Sequence, residues 1–440
     1  MNDLIIKNLS EKLDWSTPEL SKLDAYWAGT QPAAYLSPEA SRALGNRLRT
    51  LAVNFPRLAV AAVEERLRVT GFQFDNADVP DSDLWRVWTR NRMIDASAQA
   101  HTDALVYGRS FVMVWSRADG SPSITVESPR NVAVAHNPVT REVDAAFKRW
   151  SVGGTGYGVL YLPDAIVKVT STATVSDEVF PTTGWKVTET IPNPLGVVPV
   201  VPILNRGRLA ELDGVSEMGD LLDLSDALNK LISDMMVTSE FFARPRRWVT
   251  GLEVVEDEDG NPINPFSDEA GKLWQSEDPE TKFGQFEPAR LDGYADAAAL
   301  ITQQIGALST LPPHYLGLNG DQPPSADSIR SAEASLVSRC YTLQRTFGAA
   351  WSDVARLVVA VQSQVDPTTV DIETVWASPE TRTPAQSADA AQKLKSIGVP
   401  LPIILSDVMG MSPAQVEKVR EAARTEALDS AGVDLGGLLQ

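Results

Sequence analysis

A single cysteine, Cys340, leaves this 440-residue chain no internal disulfide and no multi-cysteine metal site. It falls on the apolar stripe of an expected helix and is read as a packing residue. Histidine is almost as scarce. His101, His136 and His314 are the only three, and none stands in the His-x-x-x-His spacing of a zinc site, so neither metal nor cofactor is expected. Long apolar runs are missing too: the stretch around Val197 to Leu204 is cut by proline well short of the roughly 20 residues a membrane helix needs. The opening Met1-Asn2-Asp3-Leu4-Ile5-Ile6-Lys7 lacks the basic region, apolar stretch and cleavage site of a secretory signal, and assembly in a cytoplasm is the expectation. Positive charge is short, with 39 Lys and Arg against 58 Asp and Glu and a net charge of −19. Holding phosphate backbones depends on Lys and Arg releasing counterions, so a DNA partner would have to slide rather than adhere. No Gly-x-Ser-x-Gly elbow anchors a serine hydrolase. Gly153-Gly154-Thr155-Gly156-Tyr157-Gly158 lacks the following helix and the Gly-Lys-Ser/Thr ending of a phosphate loop, and reads as a hairpin tip.

With 43% hydrophobic residues the chain can bury a sizeable core, spread over two to four structural units. Thr17 to Arg68 reads as mainly helical, interrupted near Pro32, Pro38 and Pro56, with Gly71 ending the segment. Ser82 to Tyr107 reads as one further helix stopped by Gly108. Short β-type runs follow at Ser110 to Trp115, Ile124 to Glu127, Val143 to Trp150, Tyr157 to Leu162, Ile166 to Thr170 and Trp185 to Ile191, with Asp119-Gly120 as a hairpin turn. They suggest an antiparallel sheet of hairpins, followed by an extended Pro199 to Asn205. Asp213 to Phe242 carries one apolar helical face over roughly 40 Å, and Leu291 to Leu308 a second. Ser325 is placed to cap a helix of close to forty residues whose stripe runs Ile329, Leu336, Val337, Cys340, Leu343, Phe347, Trp351, Val354, Val358, Val361. A strand-like piece around Val370, Ile372 and Val375 and helices at Pro384 to Ile397, Ile403 to Met409 and Ala414 to Leu428 complete an α+β chain that is predominantly helical.

Between the two long helices lies an insertion, Arg246 to Pro288, with strand-like Trp248 to Val255. From Glu253 to Lys282 it has ten Asp or Glu against two Lys. Arg244, Arg246 and Arg247 beside Trp248 fit either phosphate contacts or the C-terminal dipole of the preceding helix. The alternating acids Glu256, Asp257, Glu258 and Asp259 fit a docking face or a solvated turn.

Five short strings occur in order: Tyr26-Trp27-Ala28-Gly29; Tyr107-Gly108-Arg109-Ser110-Phe111-Val112; Asn193-Pro194-Leu195-Gly196-Val197-Val198-Pro199-Val200; Leu311-Pro312-Pro313-His314-Tyr315-Leu316-Gly317; and Pro324-Ser325-Ala326-Asp327-Ser328-Ile329-Arg330 with Ala332-Glu333 behind it. With the order of elements around them, they resemble the portal family of tailed double-stranded DNA phages, siphophage type, over most of the chain.

That resemblance implies a ring, usually of about twelve copies of the chain, at one capsid vertex of the virion, with double-stranded DNA passing non-specifically through its centre. It implies a wing from 1–212 and 325–380, stem helices at 213–242 and 291–308, a clip at 243–290, a tunnel loop at 309–324 and a crown at 381–440. The implied partners are the terminase large subunit at the clip, head-tail connector proteins, scaffold and the major capsid protein, with no membrane and no catalysis by the chain itself. Candidate tunnel-loop residues, chosen as small or uncharged, are Thr310, Leu311, His314, Tyr315, Asn319 and Gly320. Candidate channel-lining acids are Asp220, Asp223, Asp234, Asp292 and Asp296, and candidate docking residues are Arg246, Arg247, Trp248, Glu256, Asp257, Glu258 and Asp259. Trp85, Trp88, Trp351 and Trp376 would pack either the ring interface or the monomer core.

Two other readings compete. One is a virion adaptor or scaffold without a DNA channel, which a low-order oligomer would favour. The other is a hydrolase using paired carboxylates on the acidic insertion.

Overall fold

The computed structural model describes residues 2–32, 52–75, 80–176, 179–242, 247–251, 279–285, 290–318, 325–381 and 384–437. The chain divides into two compact units: Met1–Pro32 with Asn54–Ser225 and Gln304–Gln440, and Ala33–Val53 with Asp226–Gln303.

The first unit opens with α1 (Asn2–Ala28), which begins well before the helical stretch expected from Thr17. Ile6, Leu9 and Leu13 recur at helical spacing and are buried against Ala145, Phe147, Leu160, Val167 and Val169 of a sheet. Pro18 is tolerated inside α1 although it lacks an amide. Beside it, the Ser16 and Thr17 hydroxyls donate to the Leu13 carbonyl at 3.0 and 2.9 Å. Next come α2 (Phe55–Glu64), β1 (Val69–Phe74), α3 (Ser82–Arg90) and α4 (Met93–Tyr107).

The single helix expected over Ser82 to Tyr107 is therefore two, and the break has a physical cause. Arg92 adopts a left-handed conformation (φ 56°). The Asn91 side chain caps Val87 O at 2.9 Å, donates to Pro122 O at 3.2 Å and accepts from Arg117 and from the Ile124 amide, tying the break to the neighbouring sheet. Gly108 ends α4 at φ 85°, as its position in the sequence suggests.

The strands between Arg109 and Leu204 form two sheets where the sequence suggests one. Three strands run in the order β3-β2-β9: β2 (Arg109–Ser116), β3 (Pro122–Glu127) and β9 (Val200–Leu204). Five run as a sequential meander: β4 (Val132–His136), β5 (Val143–Val152), β6 (Thr155–Tyr161), β7 (Ala165–Thr174) and β8 (Trp185–Pro192). Strand β4, absent from the sequence reading, pairs with β5 and is buried. Gly153 and Gly154 form the two-residue β5–β6 turn with φ of 58° and 80°, so the glycine-rich stretch is a hairpin tip.

A helix of 38 residues, α7 (Ala326–Ser363), runs through the unit, capped as expected by Ser325, whose side chain accepts from the Ser328 amide. Its stripe buries Leu336, Cys340, Leu343, Phe347, Trp351 and Val354. Trp351 meets Trp88 edge-to-face at 5.0 Å, and both are fully buried, which assigns these two tryptophans to the monomer core. Strand β12 (Ile372–Trp376) pairs antiparallel with β1, a strand the sequence reading placed at a helix end. The unit finishes with α8 (Pro384–Ser396), α9 (Leu401–Asp407) and α10 (Pro413–Gly437), the last running beyond the expected Leu428.

Helix α5 (Leu222–Phe242) starts later than the expected Asp213, after a 3-10 turn at Gly219–Leu221. In the second unit, β10 (Arg247–Thr250) and β11 (Lys282–Gln285) pair antiparallel as a two-stranded sheet. The strand expected to Val255 is thus described only as far as Thr250. Helix α6 (Asp292–Ser309) closes this excursion of the chain. Thr238 and Tyr294 hydroxyls lie 3.1 Å apart, linking α5 and α6. Among the described residues no helix is long and apolar enough to cross a membrane.

Candidate DNA-channel and docking segments

The residues after α6 turn sharply. Thr310 is left-handed (φ 56°), Pro312 is extended, and Pro313–Leu316 makes one 3-10 turn ended by Gly317 at φ 70°. The turn folds back on α6 at Gly306, where a Cβ would press on the terminal methyl of Leu316. Leu311, expected to face DNA, is only 5% exposed. Thr310, His314 and Tyr315 are partly exposed, while Asn319 and Gly320 lie outside the described residues.

His314 and Tyr315 do not hang free. Tyr315 Oη accepts from Arg66 Nη2 at 3.2 Å, and the same nitrogen donates to Glu333 Oε1 of α7 at 3.0 Å. Arg66 Nη1 donates to Pro379 O at 2.8 Å and Thr381 Oγ1 at 3.1 Å. His314 Nε2 is 3.7 Å from the same carboxylate oxygen. Burial alone lowers the proton affinity of the Arg66 guanidinium, but the Tyr315 hydroxyl and the Glu333 carboxylate outweigh it and the net direction is up. Neither Arg66 nor Glu333 stood among the candidates. The available signal was an acid on the apolar stripe of α7, at the helical spacing between Ile329 and Leu336.

The approach to α5 is pinned in a similar way. Arg339 of α7 donates from Nε to Glu217 Oε1 at 2.9 Å and from Nη2 to Asn205 Oδ1 at 3.0 Å, with a second contact to Glu217 Oε2. Asn205 Nδ2 in turn donates to Val215 O at 2.9 Å. This network occupies 205–217 and explains why the helix begins only after it.

Of the proposed channel acids, Asp220, Asp223, Asp292 and Asp296 are exposed, and Asp234 is half-buried and paired with Lys230. Asp223 and Asp234 are eleven residues apart on α5, so at about 100° per residue they share one face to within roughly 20°. Asp292 and Asp296 stand one turn apart at the start of α6.

Trp248, opposite Gly284 in the β10–β11 pair, is 39% exposed. Arg247 opens β10, whereas Arg246 and the acidic run Glu256, Asp257, Glu258, Asp259 lie outside the described residues. Cys340 is buried, and its thiol is pushed up to about 11 by desolvation, as suits a packing residue. Among the described residues no cluster of His, Cys, Asp or Glu could hold a metal ion.

The family model described as phage portal protein, SPP1 Gp6-like, matches residues 6–427. A portal protein of Mycobacterium phage L5 is 33% identical over 402 residues, covering 87% of this chain and 80% of the relative. A portal protein of Mycobacterium phage D29 is 33% identical over 399 residues with the same coverage, 87% and 80%. Among solved structures, the chain is similar to one from the neck of a native gene transfer agent particle, at 13% identity and TM-score 0.46, covering 91% of this chain and 98% of that one. It is also similar to one from the neck of the empty particle, at 14% identity and TM-score 0.48, covering 78% and 84%.

Proposed function

Because the chain belongs to the SPP1 Gp6-like phage portal family, matched over residues 6–427, we propose that copies of it close into the ring at one capsid vertex through which double-stranded DNA is packaged and ejected. The length of that match carries the reading, since it takes in both long helices and the excursion between them. Portal proteins are structural components of the virion. In the proposed division of labour, the ring is a conduit and dock while a separate terminase supplies the energy.

The regions follow the resemblance. Residues 1–212 and 325–380 form the wing, α5 and α6 the stem, 243–290 the clip, 309–324 the segment nearest DNA, and 381–440 the crown. The terminase and later the head-tail connector proteins dock at the clip, with Trp248 as an exposed aromatic and Arg246 and Arg247 beside it. Scaffold and major capsid protein contact the ring during assembly in the host cytoplasm.

The acidic character suits passage. A basic wall would hold many phosphates at once, while a wall bearing Asp220, Asp223, Asp234, Asp292 and Asp296 repels the strand from every side and keeps it moving. Ring closure requires two different complementary surfaces per subunit, head to tail.

Electron microscopy of the purified chain, with its mass in solution, tests the reading. A ring with a central hole and about twelve subunits is the expected result. A monomer or low-order oligomer that persists on co-expression with scaffold and capsid protein would overturn the conduit in favour of an adaptor without a channel.

A further inference from the structure

Among the described residues, the Arg66–Glu333 pair is the most enclosed salt bridge joining distant segments: the side chains are 11% and 8% exposed. Removing two charges from water is costly, and the attraction between them repays that cost only when the remaining donors and acceptors are also satisfied. Here they are. The two terminal nitrogens of Arg66 make four hydrogen bonds, to the Tyr315 hydroxyl, the Glu333 carboxylate, the Pro379 carbonyl and the Thr381 hydroxyl. Gln344 Nε2 reaches the backbone of the same place, at 2.9 Å from Ala377 O and 3.4 Å from Arg66 O. Four stretches far apart in sequence meet on one planar fork: the end of α2, the turn at Pro313–Leu316, the second and third turns of α7, and the strand exit at 377–381.

An apolar pair of the same size would hold these stretches together at least as well, because a buried ion pair adds little net stability over its apolar replacement. What the fork adds is direction. It fixes the Tyr315 hydroxyl, and with it the Pro313–Leu316 turn, relative to α7. Resting on the reading of 309–324 as the segment nearest DNA, we propose that Arg66 is the positioning residue of its described part, 311–318. Residues 311–318 are then a fixed sill, set by Arg66 and Glu333, rather than a part that yields to the passing strand.

The test compares wild type with the double variant Arg66→Met/Glu333→Leu and with Tyr315→Phe, all as full-length assembled rings. The double variant replaces the pair by apolar groups of similar volume, which protects the fold where a single substitution would strand a buried charge. Amide hydrogen exchange of Tyr315 and Leu318, which donate to Pro312 O and Pro313 O at 3.0 Å, reads the sill directly. The number of filled heads after complementation reads passage. Exchange at these amides at least tenfold faster in the double variant, with ring yield unchanged and filled heads reduced at least tenfold, is the expected result. Tyr315→Phe should show a smaller acceleration in the same direction. Wild-type exchange in the double variant, or faster exchange with undiminished filling, overturns the proposal. If wild-type protein itself fills no heads, the conduit reading fails, while the exchange comparison still decides whether Arg66 sets the turn.

Discussion

Trp351 Nε1–H donates to His101 Nε2 at 2.8 Å, inside a pocket that also holds Phe347 and Trp376. The imidazole is therefore neutral with its proton on Nδ1, and burial drives its pKa down to about 3 from an ordinary 6.5. The unfolded chain binds a proton at His101 below pH 6.5 while the folded chain does not, so this contribution to stability is complete above pH 6.5 and is lost as pH falls toward 3. Equilibrium denaturation at a series of pH values should show a loss on the order of a few kcal/mol by pH 4, at about 1.4 kcal/mol per pH unit. His101→Gln keeps an acceptor for Trp351 and should flatten that slope.

Arg339 holds Glu217 by two nitrogens and Asn205 by one. Both partners of the ion pair remain partly solvated, at 29% and 20%, which discounts the cost of breaking it. Arg339→Ala should destabilise the fold by about 1–3 kcal/mol in urea unfolding, and Arg339→Lys should recover less than half, because an ammonium lacks the planar fork.

Cys340 is fully buried with its thiol held protonated, so a thiol reagent at pH 8 should label it only as the native state opens. Labelling that rises in step with denaturant, and is negligible without it, is expected. Rapid labelling of native protein would contradict the packing role.

Reversing charge on the exposed acids tests the channel wall. Asp223→Lys with Asp296→Lys should leave ring formation intact and lower the yield of filled heads, with the defect easing as ionic strength rises. Unchanged filling would remove these residues from the lining.

Phe147 is completely buried under α1 and meets Trp185 edge-to-face at 5.5 Å. Phe147→Ala should cost about 3–5 kcal/mol, read by thermal or chemical unfolding. Protection of the α1 amides should fall with it.

Periodicity made the long helices legible. The stripe of α7 from Ile329 to Val361 repeats at helical spacing with no proline, and Ser325 marks its start with cap chemistry. What stayed hidden depended on partners remote in sequence. Val69 to Phe74 alternates only weakly and becomes a strand because β12 lies beside it. The break at Asn91 needs Pro122 and Ile124 to give that side chain its bonds. The five strings carried the family, yet local spacing could not tell that Leu311 is buried, since burial of a turn residue depends on what the fold brings over it.

The pairing of Val69 with Trp376 imposes an order of events on synthesis. Roughly 300 residues separate the two strands, so at about 5–20 residues per second β1 emerges roughly 15–60 s before its partner exists. The meander can zip hairpin by hairpin in the meantime, because each of its strands pairs with the next to appear. β1 waits with its ladder groups unpaired, and the β1–β12 edge closes only once the long helix has been made. A nascent chain thus completes its first unit late, and the interval before closure is when a stray strand could take the place of β12.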